Sequence, residues 1–254
     1  MKHTSFRLDG RVALVTGSAR GIGKAVTSSL VKAGARVVGA DFDEDGALQA
    51  VLDAGVPPEE AFGCFLDVSD PESVSSVFKK TKKMFGRLDI LVNNAGIMFR
   101  TRFLDIALKE WEATIRTNLT GVFHCTQAAV PLMKENGYGR IVNISSSAGR
   151  SVSTLGGVHY TASKAGLLGL TRAVAKEVAP SGITVNAVCP GLIDTKMARE
   201  TTSAEELEKF MGSFPVGRLG SPQEIGHLVL FLCTDAAAYI TGASVDINGG
   251  DLML

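Results

Sequence analysis

Tyrosine and lysine stand four residues apart in His159-Tyr160-Thr161-Ala162-Ser163-Lys164. On a helix, residues i and i+4 share a face with Cβ atoms about 5–6 Å apart, so this spacing sets an ammonium beside a phenol. A free phenol, with a pKa of about 10, is a poor proton acceptor near neutrality. A neighbouring positive charge favours phenolate and brings general acid/base chemistry within reach. The pair is equally compatible with two amphipathic side chains sharing a helix face, so the rest of the chain must decide. His159 follows a different direction on the same helix and reads as a packing or interface histidine.

A second group of residues could hold phosphate. The segment "TGSARGIGKAV" places Gly17, Gly21 and Gly23 between a strand-like run and a helix-like run. Glycines there allow a tight turn and let a pyrophosphate approach the N–H groups at a helix N-terminus. Asp41 follows 18 residues after Gly23, at the end of the next strand-like run. A carboxylate at that position accepts hydrogen bonds from the ribose hydroxyls of NAD and repels the 2′-phosphate of NADP. Arg20, inside the glycine turn, could instead meet a 2′-phosphate, the pyrophosphate or the protein itself. The balance favours NAD, with NADP as the alternative.

The elements that must position these groups are legible as an alternation. "RVALVTG", "ARVVGAD", "AFGCFLDV", "DILVNNAG", "GRIVNISS", "ITVNAVCPG" and "SVDINGG" read as seven strands. Several are almost unbroken apolar runs, as expected of a parallel sheet covered on both faces. Between them lie helical patterns. "GKAVTSSLVKAG", closing on Gly34, has Val26, Leu30 and Ala33 on one face; "PESVSSVFKKTKKMFG", closing on Gly86, has Val74, Val77, Phe78 and Phe85. This alternation predicts an α/β fold: a Rossmann-type, doubly wound, parallel seven-stranded sheet with helices on both faces. Without a linker, repeat or low-complexity tract, residues 1–254 read as a single domain. The excursion at about 196–226 is too long for a simple crossover and is expected to form a substrate lid.

Composition narrows the function classes. Among 254 residues, Lys+Arg and Asp+Glu both number 26, which gives no electrostatic case for nucleic acid or a membrane surface. Cys64, Cys125, Cys189 and Cys233 are scattered, with no C-x-x-C and no metal-like cluster, so no metal is expected and the thiols are expected to be free. The opening "MKHTSFRLDGRVALVTG" lacks an apolar signal core, and no run of 18 apolar residues occurs. The expectation is a cytoplasmic protein with a small-molecule substrate.

With these residues assembled, the chain resembles the short-chain dehydrogenase/reductase family almost from end to end. The motifs that carry the resemblance are Thr16–Gly23, Asp67-Val68, Asn93-Asn94-Ala95-Gly96, Asn118, Ser146, Tyr160-x-x-x-Lys164 and Pro190-Gly191. The resemblance implies that Gly17, Arg20, Gly21, Ile22 and Gly23 cradle the dinucleotide and that Asp67 and Val68 hold its adenine. By the same resemblance Asn94, Ala95 and Gly96 flank the adenosine ribose, and Pro190, Ile193 and Thr195 surround the carboxamide. Tyr160 would be the general acid/base, Lys164 would tune it and hold the nicotinamide ribose, Ser146 would orient the substrate oxygen, and Asn118 would anchor a water relay through Lys164. The S-x-x-G pattern ending at Gly149 selects Ser146, whereas a count of 13 residues back from Tyr160 selects Ser147.

The main expectation is an NAD-dependent oxidoreductase acting on a secondary alcohol (a polyol, sugar or other small hydroxy compound) or its ketone. One alternative is an NADPH-dependent 3-oxoacyl-carrier-protein reductase, whose acidic carrier would need basic residues near the active-site mouth; "MKENGYGR" offers Lys134 and Arg140, with Glu135 between. Another is a non-catalytic nucleotide-sensing protein on the same fold. The resemblance also implies a homotetramer built through Leu104–Met133, Thr161–Val178 and the C-terminal strand. Phe99, Phe103, Phe210 and Phe214 read mostly as core, with those in the lid available to the cleft.

Overall fold

The computed structural model describes residues 6–254; Met1–Ser5, which begin the stretch read above for a signal core, lie outside the described residues. In chain order the elements are β1 (Val12–Thr16), α1 (Gly21–Lys32), β2 (Arg36–Asp41), α2 (Glu44–Asp53), β3 (Phe62–Phe65), α3 (Pro71–Phe85) and β4 (Ile90–Asn93). There follow α4 (Leu108–Ile115), a π-helical turn (Arg116–Thr120), α5 (Gly121–Asn136), β5 (Gly139–Ile144), α6 (Val158–Val178) and β6 (Ile183–Pro190). The chain ends with α7 (Lys196–Thr201), α8 (Ala204–Ser213), α9 (Pro222–Cys233) and β7 (Ser244–Ile247). The seven strands form one parallel sheet in the order β3-β2-β1-β4-β5-β6-β7.

The apolar runs become the central strands because each has helices on both faces. Every residue of β1, β4, β5 and β6 is buried, whereas the edge strand β7 is only half-buried. One core layer joins Val12, Leu14, Leu91 and Ile141 to Val74, Val77 and Phe78 of α3 and to Met133 of α5. The other joins Ala13, Val15, Ile90 and Val142 to Val26 and Leu30 of α1 and to Ile225 and Val229 of α9. The predicted helix faces are therefore the ones buried, with Phe85 half-buried against the first layer.

Local signals set the helix ends. Asp70 caps α3 by accepting from Glu72 N–H at 3.0 Å and Ser73 N–H at 3.3 Å, Pro71 opens the first turn, and Gly86 closes it at φ +73°. The excursion after β6 consists of α7, α8, a turn at residues 214–221 and the first turn of α9. Its last part is anchored: Ile225 is fully buried, and a Cβ on Gly226 would lie 2.9 Å from the Ala25 carbonyl of α1. The stretch before α9 is held more lightly, with Ala198, Leu207 and Phe214 its buried apolar residues.

Candidate active site

Where the strand order reverses, between β1 and β4, a doubly wound sheet opens a crevice at the strands' carboxyl ends. A cavity of about 560 Å³ occupies that crevice, lined from Gly17 at one end to Tyr160, Lys164, Leu192 and Thr195 at the other. The sequence-predicted residues Gly17, Arg20, Gly21, Ile22, Asp41, Asp67, Val68, Asn94, Ala95, Gly96, Ser146, Tyr160, Lys164, Pro190, Ile193 and Thr195 all line it. Gly23 and Asn118 stand behind its wall.

The glycine turn is fitted to its neighbours. Gly17 and Gly21 take φ +66° and +56°, where a side chain costs strain. A Cβ on Gly17 would fall 2.8 Å from Ala95 Cα, and one on Gly23 would fall 2.0 Å from the Gly17 carbonyl oxygen. Asn94 braces the turn, its amide donating to the carbonyls of Thr16 (3.0 Å) and Gly17 (2.8 Å). Thr16 Oγ1 accepts from both Asn94 N–H and Ala95 N–H at 3.0 Å. The Asn94 amide is thus bound to protein backbone, and its part in a ribose pocket is to hold the wall.

Asp41 closes β2 with both carboxylate oxygens turned to backbone: Ala19 N–H donates at 2.9 Å and Asp43 N–H at 3.1 Å. These bonds fix the carboxylate at the cavity edge. Arg20 is exposed at the start of α1, on the same cavity, with no protein partner among the described residues. Phe42, 72% exposed, adds an aromatic wall and packs against Phe65 with ring centroids 5.1 Å apart. A cradle that only glycine fills, the N-terminus of α1, and an acceptor at the end of β2 together match what a nicotinamide dinucleotide requires.

At the other end, Ser146 is extended and caps the short turn Ser147–Gly149, its Oγ accepting from Ala148 N–H at 3.1 Å. Ser146 and Ser147 both line the cavity with Tyr160, so the preference for Ser146 rests on its S-x-x-G pattern. Burial pushes the Tyr160 phenol up, and Ser146 partly offsets it. Lys164 Nζ lies 5.7 Å from the Tyr160 ring centroid and donates to the Ile144 carbonyl at 2.8 Å. Burial pushes its pKa down to about 8. Among the protein's own groups burial is the largest cause acting on the phenol, and the Lys164 ammonium expected to lower it is itself desolvated.

Asn118 lies in the π-helical turn between α4 and α5, a feature that periodicity cannot reveal. Fully buried, it accepts from Ile97 N–H at 2.8 Å and donates to the Ile97 carbonyl at 2.9 Å and to Ser163 Oγ at 3.2 Å. A Cβ on Gly96 would lie 3.2 Å from Asn118 Oδ1 and 3.7 Å from Lys164 Nζ. The segment after β4 is thereby pinned beside the lysine.

His159 is buried as a packing residue: Nε2 lies 2.9 Å from Glu110 Oε1 and the ring stacks on Phe99. Of the four phenylalanines read mostly as core, Phe214 is buried, while Phe103 is 72% exposed and Phe99 partly so. The basic patch in "MKENGYGR", thin already in the sequence, is thinner still in the fold. Arg140 is buried near the start of β5, about 20 Å from Ser146 at ~3.3 Å per residue, and its guanidinium is bound to Asp235 and stacked on Tyr138. Glu135 pairs with Lys82. That patch faces the opposite end of the sheet from the cavity. Asp251, Phe42, Met98 and the Ser153–Leu155 stretch also line the cavity but carry no local motif. Among the described residues no group of three potential metal ligands occurs, and no helix is long and apolar enough to cross a membrane.

Residues 17–251 match the profile of a family described as enoyl-(acyl carrier protein) reductase. The chain is 43% identical to the 3-oxoacyl-(acyl-carrier-protein) reductase FabG of Escherichia coli strain K12, over 98% of this chain and 100% of that one. It is 42% identical to the enzyme of the same name from Aquifex aeolicus strain VF5, over 96% and 98%. The crystal structure of a short-chain type dehydrogenase/reductase from Mycobacterium marinum superposes with a TM-score of 0.91 at 35% identity, covering 98% of each chain. The chain belongs to the short-chain dehydrogenase/reductase family.

Proposed function

We propose that this family member interconverts a 3-oxoacyl thioester and its 3-hydroxyacyl counterpart, using a nicotinamide dinucleotide as hydride carrier. The observation that carries the chemistry is the convergence of Ser146, Tyr160 and Lys164 on the cavity that the glycine turn opens, with Lys164 Nζ 5.7 Å from the Tyr160 ring centroid. The names of its relatives supply the substrate class. The dinucleotide, when bound, gives or takes the hydride.

The chain's own groups handle the proton and the substrate oxygen. In the reducing direction Ser146 Oγ and Tyr160 Oη hold the ketone oxygen between them, and Tyr160 donates its proton as that oxygen gains negative charge. In oxidation Tyr160 accepts the alcohol proton. Lys164 stabilises the phenolate that reduction leaves and from which oxidation starts, and Asn118 fixes the wall behind it. Gly17, Gly21 and Gly23 admit the pyrophosphate, and Asp67 and Val68 edge the adenine side.

A second reading, NAD-linked oxidation of a small secondary alcohol, is favoured by Asp41. Its carboxylate, fixed by two backbone N–H groups at the ribose end, opposes a 2′-phosphate. Retention of Ser146, Tyr160, Lys164 and Asn118 in working positions argues against a non-catalytic sensor. Exposed Phe103, Leu104, Leu108 and Phe123 give α4, α5 and the segment before them an apolar surface suited to self-association, in keeping with a homotetramer.

The test is reduced-nicotinamide absorbance with either cofactor and a panel of 3-oxoacyl thioesters, small ketones and polyols. Turnover of the thioesters, falling by about 10²–10⁴-fold in Tyr160→Phe with cofactor binding retained, is expected. Turnover confined to polyols or small ketones would replace the first reading with the second.

A further inference from the structure

Beyond the strand β7, the chain makes a turn that sets Asp251, itself exposed, at the edge of the catalytic cavity. Asn248 organises it: its Oδ1 accepts from Gly250 N–H at 3.0 Å, and its amide donates to the Leu252 carbonyl at 2.8 Å. Asp251 N–H donates to the Asn248 carbonyl at 3.2 Å. Gly249 and Gly250 take φ +65° and +84°, a pair of conformations that only glycine adopts without strain. The turn is clamped on both sides. Asn248 sits so close to Gly191 that a Cβ there would fall 2.8 Å from Asn248 Cα, and Gly249 accepts from Val216 N–H at 3.1 Å. Asp251 thereby joins Ser146, Tyr160, Leu192 and Thr195 in one lining.

The charge pattern around it is uneven. Cations of the neighbouring segments have acids of their own: Lys196 with Glu200, Arg199 with Asp194, and Arg150 with Asp246. Lys164 sits at the Tyr160 end of the cavity. The Asp251 carboxylate has no partner among the described residues. Ser147, Ser153 and Thr154 surround the same space with hydroxyls.

We propose that Asp251 is a specificity-determining residue that admits electrically neutral substrates and rejects free carboxylates. The inference rests on the catalytic reading above and narrows it. A substrate whose reacting oxygen lies on Ser146 and Tyr160 extends its other end toward the C-terminal turn. An ester, thioester or hydroxyl is tolerated there, and a hydroxyl donates to the acceptor-only carboxylate. A substrate carboxylate meets a like charge at the cavity edge.

The experiment titrates the enzyme–NADH complex with 1,3-butanediol and with 3-hydroxybutanoate, following reduced-nicotinamide fluorescence. The two probes share a secondary alcohol and differ in the distal group, and the readout needs no turnover. The expected result is binding of the diol at least about tenfold tighter than the acid. Asp251→Asn should then tighten the acid by about tenfold and leave the diol within about twofold. An unmoved ratio in the variant, equal binding of both probes by the natural enzyme, or no binding of the diol would overturn the proposal. Failure of the catalytic reading is seen separately, as absence of thioester turnover in the same preparation.

Discussion

Replacing Lys164 by Met should leave a protein that is inactive yet more stable at neutral pH. The lysine is almost wholly buried and its pKa is pushed down from 10.5 to about 8, with desolvation the largest cause. At 1.36 kcal/mol per unit, keeping it protonated at pH 7 costs the fold roughly 3 kcal/mol. The bond from Nζ to the Ile144 carbonyl is lost in the variant, which takes back about 1–2 kcal/mol. A net gain of about 1–2 kcal/mol remains, or a rise in Tm of about 2–8 °C for a chain of this size. The sign with pH is equally specific. Between the folded and unfolded values the unfolded chain binds more protons at this site, so the natural protein gains stability as pH rises from about 8 to 10.5. The variant lacks that gain. Urea unfolding of both proteins at matched concentration, at pH 7, 9 and 10, should show the gap between them closing upward. A variant less stable at pH 7, or a gap independent of pH, would refute the account of the buried ammonium.

Other consequences follow from the cofactor end and the core. Asp41→Asn should raise the ratio of NADP to NAD kcat/KM by tenfold or more, since about 1.4 kcal/mol is a factor of ten. It should also cost about 1 kcal/mol of stability, because Ala19 N–H or Asp43 N–H loses an acceptor; steady-state kinetics and urea melts measure the two. Gly23→Ala places a Cβ against the Gly17 carbonyl, so the turn must open: cofactor binding should drop sharply in a fluorescence titration, with a stability loss of about 1–3 kcal/mol. Burial raises all four thiols, Cys64 and Cys189 to about 11 and Cys125 and Cys233 to about 12. Iodoacetamide at pH 8 should therefore leave the native protein unlabelled by mass spectrometry and label all four once urea unfolds it.

Much of this architecture is written locally. Short, almost unbroken apolar runs such as residues 12–15, bounded by turn residues, read as strands buried on both faces, which is why all seven strands were legible. The same holds for caps and stops: Asp70-Pro71 and Gly86 delimit α3 by backbone chemistry that operates within a few residues. The glycine turn, Asp41 and the Tyr160–Lys164 pair stood out by residue type and spacing, whereas Ser146 and Asn118 entered only through the family resemblance. That the basic segment near Arg140 is thin was legible too, but not its place, because sequence proximity to a catalytic strand does not say which end of the strand faces the cavity.

Tertiary structure alone decided the rest. The π-helical turn that turns Asn118 onto Ile97 arises from packing between α4, α5 and α6, and changes the local period only within Arg116–Thr120. The pKa of Lys164 depends on what buries it, and the balance between Tyr160, Ser146 and Lys164 depends on distances among three separate segments. Asp251 stands more than 80 residues from Tyr160 along the chain and meets it at one cavity only because β7 pairs with β6. Periodicity and turn chemistry are short-range and survive in the sequence; burial, charge compensation and cavity lining are sums over distant segments, and exist only once the sheet has closed.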